Sequence, residues 1–186
     1  MDSQISGQLA FVSAGAHGIG RAIADLLAEE GAGVVVADQD AAALQAHGAK
    51  WRGVVAADLA TAHGVSHAVS YVLDTFGRAP DILINNLGVG EAGVFDQMPD
   101  ERWERSFQVN FMGSVRLCRA MLPKMAERGG GAVVITGSDL AKQPEPGFMD
   151  YGSCKSALLY LAKALAKQYA PGVRVDRKST RLNSSH

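Results

Sequence analysis

The sequence predicts an α/β fold: a single domain with a parallel sheet that helices cover on both faces. Short aliphatic runs alternate along the chain with stretches in which apolar residues recur at helical spacing. The runs are continuously apolar, as expected for strands that are buried on both sides. Regular alternation of strands and helices is typical of a doubly wound sheet. We therefore expect a Rossmann-like sheet, which binds its ligand beyond the carboxyl ends of the strands.

Six short strands and four helices can be placed along the chain. The strand predictions cover residues 9–13, 34–36, 54–55, 82–84, 133–135 and 173–175, and the third is the weakest. The helix predictions cover residues 21–30, 65–76, 100–128 and 151–169. Gly31 ends the first helix, and Pro171 with Gly172 ends the last one.

The composition, with 47% hydrophobic and 20% charged residues, is typical of a globular protein. The 186 residues include 18 Lys and Arg against 19 Asp and Glu, and this net charge of −1 indicates neither nucleic acid nor an anionic membrane as a partner. Cys118 and Cys154 suggest neither a disulfide framework nor a zinc motif, so a cytoplasmic location is expected. We also expect no signal peptide, no membrane-spanning stretch and no metal set among the five scattered histidines.

A glycine-rich turn follows the first predicted strand. Residues 13–20 have the sequence SAGAHGIG, with Gly15, Gly18 and Gly20 directly before a helix. Glycines at such a turn let the backbone approach a pyrophosphate, and the helix N-terminus supplies N–H groups and a positive dipole. A plain tight turn is the alternative, but the position between a strand and a helix favours a nucleotide.

Asp38 ends the second predicted strand, near the offset of about 20 residues expected for a ribose-binding carboxylate. Such a carboxylate accepts hydrogen bonds from both hydroxyls of the adenosine ribose and repels a 2′-phosphate. No Arg or Lys lies in the glycine-rich turn or just after Asp38. We therefore expect NAD as the cofactor in preference to NADP, although an ordinary turn aspartate is the simpler interpretation of this residue alone.

Tyr151 and Lys155 open the last predicted helix and lie on one face of it, because they are four residues apart. A free tyrosine has a pKa of about 10, and a nearby ammonium group lowers that value toward neutrality. The pair is therefore a candidate proton-transfer unit. Taken without context, such a pair occurs often by chance and indicates no more than structure or surface.

Several motifs in order along residues 9–175 resemble the short-chain dehydrogenase/reductase family. Tyr151 and Lys155 match the family's Tyr-x-x-x-Lys, and Ser138, at the end of the fifth predicted strand, matches its catalytic serine. Asn110 matches the structural and catalytic asparagine in the long fourth helix. The resemblance implies that these four residues are catalytic.

The same resemblance implies where the cofactor is held. Asp58 matches the family's adenine-contacting acidic residue, and Asn86 and Gly88 belong to its Asn-Asn-Ala-Gly motif. The complete set of expected cofactor contacts is Ser13, Gly15, Gly18, Ile19, Gly20, Asp38, Asp58, Leu59, Asn86, Gly88, Tyr151 and Lys155.

Three residues depart from the family pattern. Ser13 and Ala14 replace the threonine and first glycine of Thr-Gly-x-x-x-Gly-x-Gly, and Leu87 replaces the alanine of Asn-Asn-Ala-Gly. We expect a tightened or shifted pyrophosphate turn and added bulk near the cofactor. None of these three substitutions removes a reacting group.

The resemblance implies hydride transfer between nicotinamide C4 and the carbon of a secondary alcohol or ketone. Tyr151 would be the general acid or base, and Lys155 would lower its pKa and bind the nicotinamide ribose. Ser138 would donate a hydrogen bond to the substrate oxygen, and Asn110 would hold a water that links Lys155 to solvent. A homodimer or homotetramer built through the long helices is expected of the full-length protein. The alternatives are a non-catalytic dinucleotide-binding regulatory module and an inactive fragment of the enzyme.

The resemblance stops at Val175. Residues 176–186 have no apolar periodicity or strand pattern, and they match the translation of a sequencing adapter. We therefore expect residues 1–175 to be an incomplete catalytic domain, without its last strand and substrate loop, and residues 176–186 to be a non-native tail. The glycosylation-like Asn183-Ser184-Ser185 is accordingly given no meaning.

Overall fold

Six strands and six α-helices alternate along residues 4–180, the part of the chain that the computed structural model describes. The strands are β1 (Leu9–Ser13), β2 (Gly33–Asp38), β3 (Gly53–Ala56), β4 (Ile82–Asn85), β5 (Gly131–Ser138) and β6 (Val173–Thr180). The helices are α1 (Gly18–Glu29), α2 (Ala41–His47), α3 (Ala62–Phe76), α4 (Asp100–Phe107), α5 (Gly113–Glu127) and α6 (Met149–Tyr169). None of these helices is long and apolar enough to cross a membrane.

All neighbouring strands of the sheet are parallel, in the order β3-β2-β1-β4-β5-β6. The chain winds outward in one direction from β1 to β3 and then in the other from β4 to β6. A crevice opens where the direction reverses, between the carboxyl ends of β1 and β4. The predicted doubly wound, Rossmann-like sheet is therefore confirmed.

Apolar side chains cover both faces of the sheet because successive residues of a strand point to opposite sides. On β1, Leu9 and Phe11 belong to the apolar cluster beneath α3, α5 and α6. Ala10 and Val12 belong to the second cluster, beneath α1 and α2. The sheet is thus the buried middle layer of three, as its continuously apolar strands predict.

Two features of the helices differ from the sequence prediction. Helix α2 was not predicted; it begins where the Asp40 carboxylate accepts a hydrogen bond from the backbone N–H of Ala43 at 3.0 Å. The predicted helix over residues 100–128 is present, but a π-helical turn at Gln108–Met112 separates α4 from α5. A π turn contains an extra residue relative to an α turn and occurs often at functional sites.

Strand β6 is longer than the sequence predicts, and the expectation that residues from Asp176 lack strand structure is wrong. Residues Asp176–Thr180 continue the parallel pairing with β5, as far as the pair Ser138 and Thr180. A ladder needs only backbone N–H and C=O groups, so polar side chains do not prevent it. Residues 181–186, including the Asn183-Ser184-Ser185 sequence, lie outside the described residues.

Candidate active site

The structure brings the four predicted catalytic residues to the carboxyl end of the sheet. Ser138 is the last residue of β5, Tyr151 and Lys155 lie in the first turns of α6, and Asn110 lies in the π turn. All four are buried, with exposed fractions of 9% or less. Gly88, after β4, is where two of them meet, because a Cβ atom there would lie 2.9 Å from Lys155 Nζ and 3.4 Å from Asn110 Oδ1.

The Lys155 ammonium group is held by backbone carbonyls. Nζ donates hydrogen bonds to Leu87 O at 2.9 Å and to Thr136 O at 3.1 Å. Burial lowers the pKa of Lys155 to about 8, because the charged form loses its hydration. Its close neighbour Gly88 has no side chain, which lets the loop after β4 pass over the ammonium group. The lysine is therefore fixed in place and can change charge near neutral pH.

Tyr151 lies between the loop after β4 and α6. A Cβ atom at Gly90 would lie 3.2 Å from the tyrosine ring, and Lys155 Nζ is 5.5 Å from the ring centre. The pKa of Tyr151 is raised, mainly because its hydroxyl is buried; a hydrogen bond with Ser138 lowers the pKa, and the Asp139 charge raises it. Burial is the largest cause of this shift, and the expected lowering of the Tyr151 pKa by Lys155 stays a prediction. The Tyr151 hydroxyl is therefore protonated at neutral pH.

Ser138 is already engaged in hydrogen bonds with its neighbours. Its Oγ donates to Asp139 Oδ1 at 3.2 Å and accepts from Leu140 N at 3.2 Å. The second contact caps the short 3-10 turn Asp139–Ala141 and so fixes the end of β5. The hydroxyl lies within hydrogen-bonding reach of Tyr151.

Asn110 holds the loop after β4 through both ends of its amide. Oδ1 accepts a hydrogen bond from Val89 N at 2.8 Å, and Nδ2 donates to Val89 O at 2.9 Å. Nδ2 also donates to Ser106 Oγ at 3.1 Å. The side chain is thus a clamp on the backbone that covers Lys155. Its role in holding a water stays a prediction.

A cleft of about 520 Å³ lies beyond the carboxyl ends of the strands. Four of the predicted cofactor residues line it: Asp38, Asp58, Leu59 and Gly88. Sequence reasoning missed Gln39, Arg105, Gln108 and Arg116, which also line it. Arg116 donates hydrogen bonds to Ala60 O at 2.7 Å and to Gln108 Oε1 at 2.6 Å, so it joins the two walls of the cleft.

The glycine-rich turn has the backbone geometry of an anion-binding turn. Ala14 and Gly18 both have left-handed conformations, with φ of 49° and 50°. A Cβ atom at Gly20 would collide with the Ala14 carbonyl, so only glycine fits there. Helix α1 begins without a side-chain cap and without an acidic residue in its first turn. Its first N–H groups are therefore available to an anion.

Other predicted residues of this turn build the site from beneath or lie at its surface. Ser13 is fully buried; its Oγ donates to Ile84 O at 3.2 Å and accepts from Asn86 N at 2.8 Å. Asn86 donates from Nδ2 to Ala14 O at 3.3 Å. Gly15 packs against β2, while Ile19 is half exposed. Ser13 and Asn86 thus fasten the turn to β4, and their direct contacts with a cofactor stay predictions.

The Asp38 carboxylate is fixed between two backbone donors. Oδ2 accepts from Ala16 N and Oδ1 accepts from Asp40 N, both at 3.0 Å. Each carboxylate oxygen has a second lone pair, so the group can still accept hydrogen bonds from two ribose hydroxyls. Next to it, His17 and Asp40 form an exposed pair at 2.8 Å.

One ion pair near the site could not be predicted from the sequence. Arg102 on α4 contacts Asp150, the residue before Tyr151, with Nε and Oδ2 at 3.2 Å. The guanidinium also donates to the backbone carbonyls of Glu91 and Ala92. The Asp150 carboxylate is buried, and its Oδ1 has no hydrogen-bond partner among residues 4–180. Arg102 therefore joins the loop after β4 to the start of α6.

These features together fit a dinucleotide. The uncapped N-terminus of α1 suits a pyrophosphate, and the missing side chain at Gly20 lets the helix start lie close against the Ala14 carbonyl. Asp38 and Gly88 line the same cleft, and Gly88 lies beside Lys155. Residues 4–180 contain no group of three or more His, Cys, Asp or Glu side chains that could hold a metal ion.

The fold and this site define a class of oxidoreductase, and comparison with known proteins identifies the family. The short chain dehydrogenase family matches residues 8–178. The chain therefore belongs to the short-chain dehydrogenase/reductase family of oxidoreductases, as its motifs predict.

Curated relatives are longer than this chain. Dehydrogenase/reductase SDR family member 4 of Homo sapiens is 36% identical over 181 residues, an alignment covering 92% of this chain and 64% of that protein. The D-threitol dehydrogenase of Mycolicibacterium smegmatis is 32% identical over 182 residues, covering 94% and 70%.

Solved structures have the same fold. The L-sorbose reductase of Gluconobacter frateurii, in complex with NADPH and L-sorbose, superimposes with a TM-score of 0.91 at 35% identity, covering 96% of this chain and 71% of that one. The 3-ketoacyl-(acyl-carrier-protein) reductase of Brucella melitensis, in complex with NADH, also gives 0.91, at 29% identity and with 96% and 77% covered.

Proposed function

We propose that this protein transfers a hydride between NAD(H) and a secondary alcohol or ketone by a Ser-Tyr-Lys mechanism. The observation that carries the proposal is the convergence of Ser138, Tyr151 and Lys155 at the carboxyl end of the sheet, with Lys155 beside Gly88 in the wall of a cleft of about 520 Å³. A regulatory module that only binds a nucleotide has no need of this buried set. The chain spans about two thirds of the length of its relatives, and the proposal concerns the whole protein.

The nicotinamide supplies or accepts the hydride when it is bound. Tyr151 transfers the proton at the substrate oxygen, and its raised pKa suits the donor role in ketone reduction. Ser138 donates a hydrogen bond to the same oxygen and stabilises the charge that develops there. Lys155, held between the carbonyls of Leu87 and Thr136, places its ammonium group where the nicotinamide ribose would lie.

We infer that NAD is the preferred cofactor. The Asp38 carboxylate is fixed at the end of β2, where it would bind the ribose hydroxyls and repel a 2′-phosphate. The neighbouring Asp40 carboxylate, which contacts His17, adds negative charge beside Asp38. The two neighbours described above were solved with NADPH and NADH respectively, so family membership alone decides nothing here.

A homodimer or homotetramer is the assembly we propose for the full-length protein. Exposed aromatic residues on its long helices support this: Phe107 packs on Phe111 at 5.2 Å between ring centres, and Tyr160 on α6 is 80% exposed. The partners are otherwise a small alcohol or ketone, without nucleic acid or membrane. Both cysteines are free and buried, which supports a location in the cytoplasm.

The test is turnover with a panel of ketones and secondary alcohols, followed by the absorbance of the reduced nicotinamide. We expect activity with NADH, and Ser138→Ala should reduce kcat by about a hundredfold, because one donor to the substrate oxygen is lost. Ser156→Ala is the matched control, since that exposed hydroxyl bonds only to the backbone of Ala141 and Gly152. NADH binding without turnover of any substrate would favour the regulatory module instead.

A further inference from the structure

Asp139 is a charged group inside the candidate active site that the proposed mechanism does not use. It follows Ser138 directly and is half buried at the carboxyl end of β5. Its Oδ1 accepts hydrogen bonds from Ser138 Oγ at 3.2 Å and from Leu140 N at 3.0 Å. Among residues 4–180, Oδ2 has no hydrogen-bond donor and the carboxylate has no ion-pair partner. One carboxylate oxygen next to the catalytic serine is therefore available to a ligand.

The Asp139 carboxylate competes with the substrate for the proton of Ser138. A serine hydroxyl has a single proton to donate. In the structure that proton is directed at Asp139, while Leu140 N donates to the serine oxygen. An incoming carbonyl oxygen receives the hydrogen bond of Ser138 only if the hydroxyl turns away from the carboxylate. The carboxylate then loses a donor, which is costly for a charged group in a partly buried position.

We propose that Asp139 selects substrates with a hydroxyl group on the carbon next to the reacting carbon. The substrate hydroxyl donates a hydrogen bond to Asp139 and replaces the one that Ser138 donates in the structure. The Ser138 hydroxyl then turns and donates its hydrogen bond to the carbonyl oxygen of the substrate. The two oxygens of a hydroxyketone, on neighbouring carbons, can then face Ser138 and Asp139, whose own oxygens are 3.2 Å apart. The inference rests on the proposed function and specifies its substrate class: hydroxyketones and the corresponding diols.

The negative charge of Asp139 also excludes a class of substrates. A carboxylate or phosphate on the neighbouring carbon would be repelled by the Asp139 carboxylate, whose charge no ion-pair partner among residues 4–180 offsets. Arg102 on α4 is paired with Asp150. We therefore expect neutral hydroxyketones to be preferred over keto acids.

The test compares hydroxyacetone with acetone, which differ only in that hydroxyl group. We expect the wild-type protein to have the higher kcat/KM with hydroxyacetone. In Asp139→Asn the ratio of the two values should fall by about tenfold, because a charge-assisted hydrogen bond becomes a neutral one. Asparagine keeps an oxygen for Ser138 and Leu140, so the turn is retained. The control Glu145→Gln removes an exposed carboxylate of the same loop and should leave the ratio unchanged.

A second measurement applies even if the variant turns over slowly. The phenolate of Tyr151, obtained from ultraviolet titrations by subtracting Tyr151→Phe, should form at lower pH in Asp139→Asn, because a neighbouring negative charge is removed. Lys155 is the other charged group near the ring and is the same in both proteins. An unchanged titration would show that the carboxylate does not face the site and would overturn the inference.

The kinetic outcomes separate this inference from the proposed function. A protein that reduces acetone and hydroxyacetone equally well, before and after the substitution, overturns the role of Asp139 and leaves the oxidoreductase intact. A protein that reduces other ketones of the panel but not hydroxyacetone overturns the inference alone, and a protein that turns over no member of the panel with either nicotinamide cofactor overturns both.

Discussion

The two halves of the site are built in different ways. At the cofactor end, the residues that would meet the ligand are mostly backbone groups at the surface: the exposed Gly18, the uncapped N-terminus of α1 and the half-buried Asp38. At the chemical end they are buried polar side chains, such as Lys155 and Ser138, each 2% exposed. A substitution at the chemical end should therefore weaken several connected hydrogen bonds and ion pairs together. A substitution at the cofactor end should remove only the contacts of the residue that is changed.

The largest effect is expected at the chemical end, from Tyr151→Phe. The phenyl ring keeps the packing on Gly90 but cannot transfer a proton, so kcat should fall by about 10²–10⁴-fold with NADH affinity nearly unchanged. Stopped-flow turnover and NADH fluorescence titration measure the two quantities. Tyr160→Phe, at a position 80% exposed on the same helix, should change neither. Equal turnover in Tyr151→Phe and the parent would contradict the mechanism.

The next effect concerns the network beside the tyrosine. Arg102→Ala leaves the buried Asp150 carboxylate without its cation and should lower the free energy of unfolding by about 3–5 kcal/mol, measured by urea denaturation. Arg105→Ala, on the exposed side of α4, is the matched control and should cost about 0.5 kcal/mol or less.

The double substitution Arg102→Met with Asp150→Leu sharpens that test. It removes both charges, so most of the lost stability should return. If Arg102→Ala were as stable as Arg105→Ala, the ion pair would contribute nothing to stability. The proposed difference between connected side chains at the chemical end and independent contacts at the cofactor end would then be wrong.

At the cofactor end the expected effect is smaller and specific to one ligand. Asp38→Ala removes the two proposed hydrogen bonds to the ribose hydroxyls of NADH and the charge that would repel the 2′-phosphate of NADPH. The ratio of the NADPH dissociation constant to the NADH dissociation constant should therefore fall by about tenfold or more. Asp40→Asn, which keeps the cap of α2 but removes the adjacent charge, isolates the electrostatic part. Tighter binding of NADPH than NADH by the unsubstituted protein would contradict the cofactor assignment.

The smallest expected effect is an increase in the free energy of unfolding. Ala14 has a left-handed backbone conformation, which glycine adopts without the steric cost that a Cβ atom imposes. Ala14→Gly should therefore raise the free energy of unfolding by up to about 1 kcal/mol, after the entropy of the more flexible unfolded chain is deducted. Ala16→Gly, at a buried position with negative φ, should lower it instead. Thermal unfolding of the two variants measures the difference, and a loss in both would refute the strain at Ala14.

Local pattern was sufficient to predict most of the fold. All six strands and the four long helices follow from aliphatic runs and helical spacing, because burial on both faces of the sheet demands them. Helix α2 was missed because its seven residues contain four alanines and little apolar periodicity. The polar residues Asp176–Thr180 were wrongly excluded from β6, since their pairing depends on the neighbouring strand β5 and not on their side chains.

The sequence motif predicted which residues of the candidate site lie near one another, but not the hydrogen bonds and ion pairs that connect them. Ser138, Tyr151 and Lys155 match a known motif and do lie together, and their catalytic roles stay predictions. The contact between Arg102 and Asp150 joins positions 48 residues apart and leaves no pattern in the sequence. Burial decided the direction of the tyrosine pKa, and burial depends on tertiary packing that a spacing of four residues does not reveal.

The π turn at Gln108–Met112 has a consequence for the helix in which it lies. A residue added to an α-helix rotates everything beyond it by about 100°, so one residue more or less in a turn changes which side of the rod faces inward. The wider turn therefore sets the rotation of α5 about the helix axis relative to α4. This rotation lets α4 present Arg102 to Asp150 while α5 packs its apolar face under the sheet. Trimming this turn by one residue would leave both segments helical but out of step, with Asn110 no longer aimed at Val89.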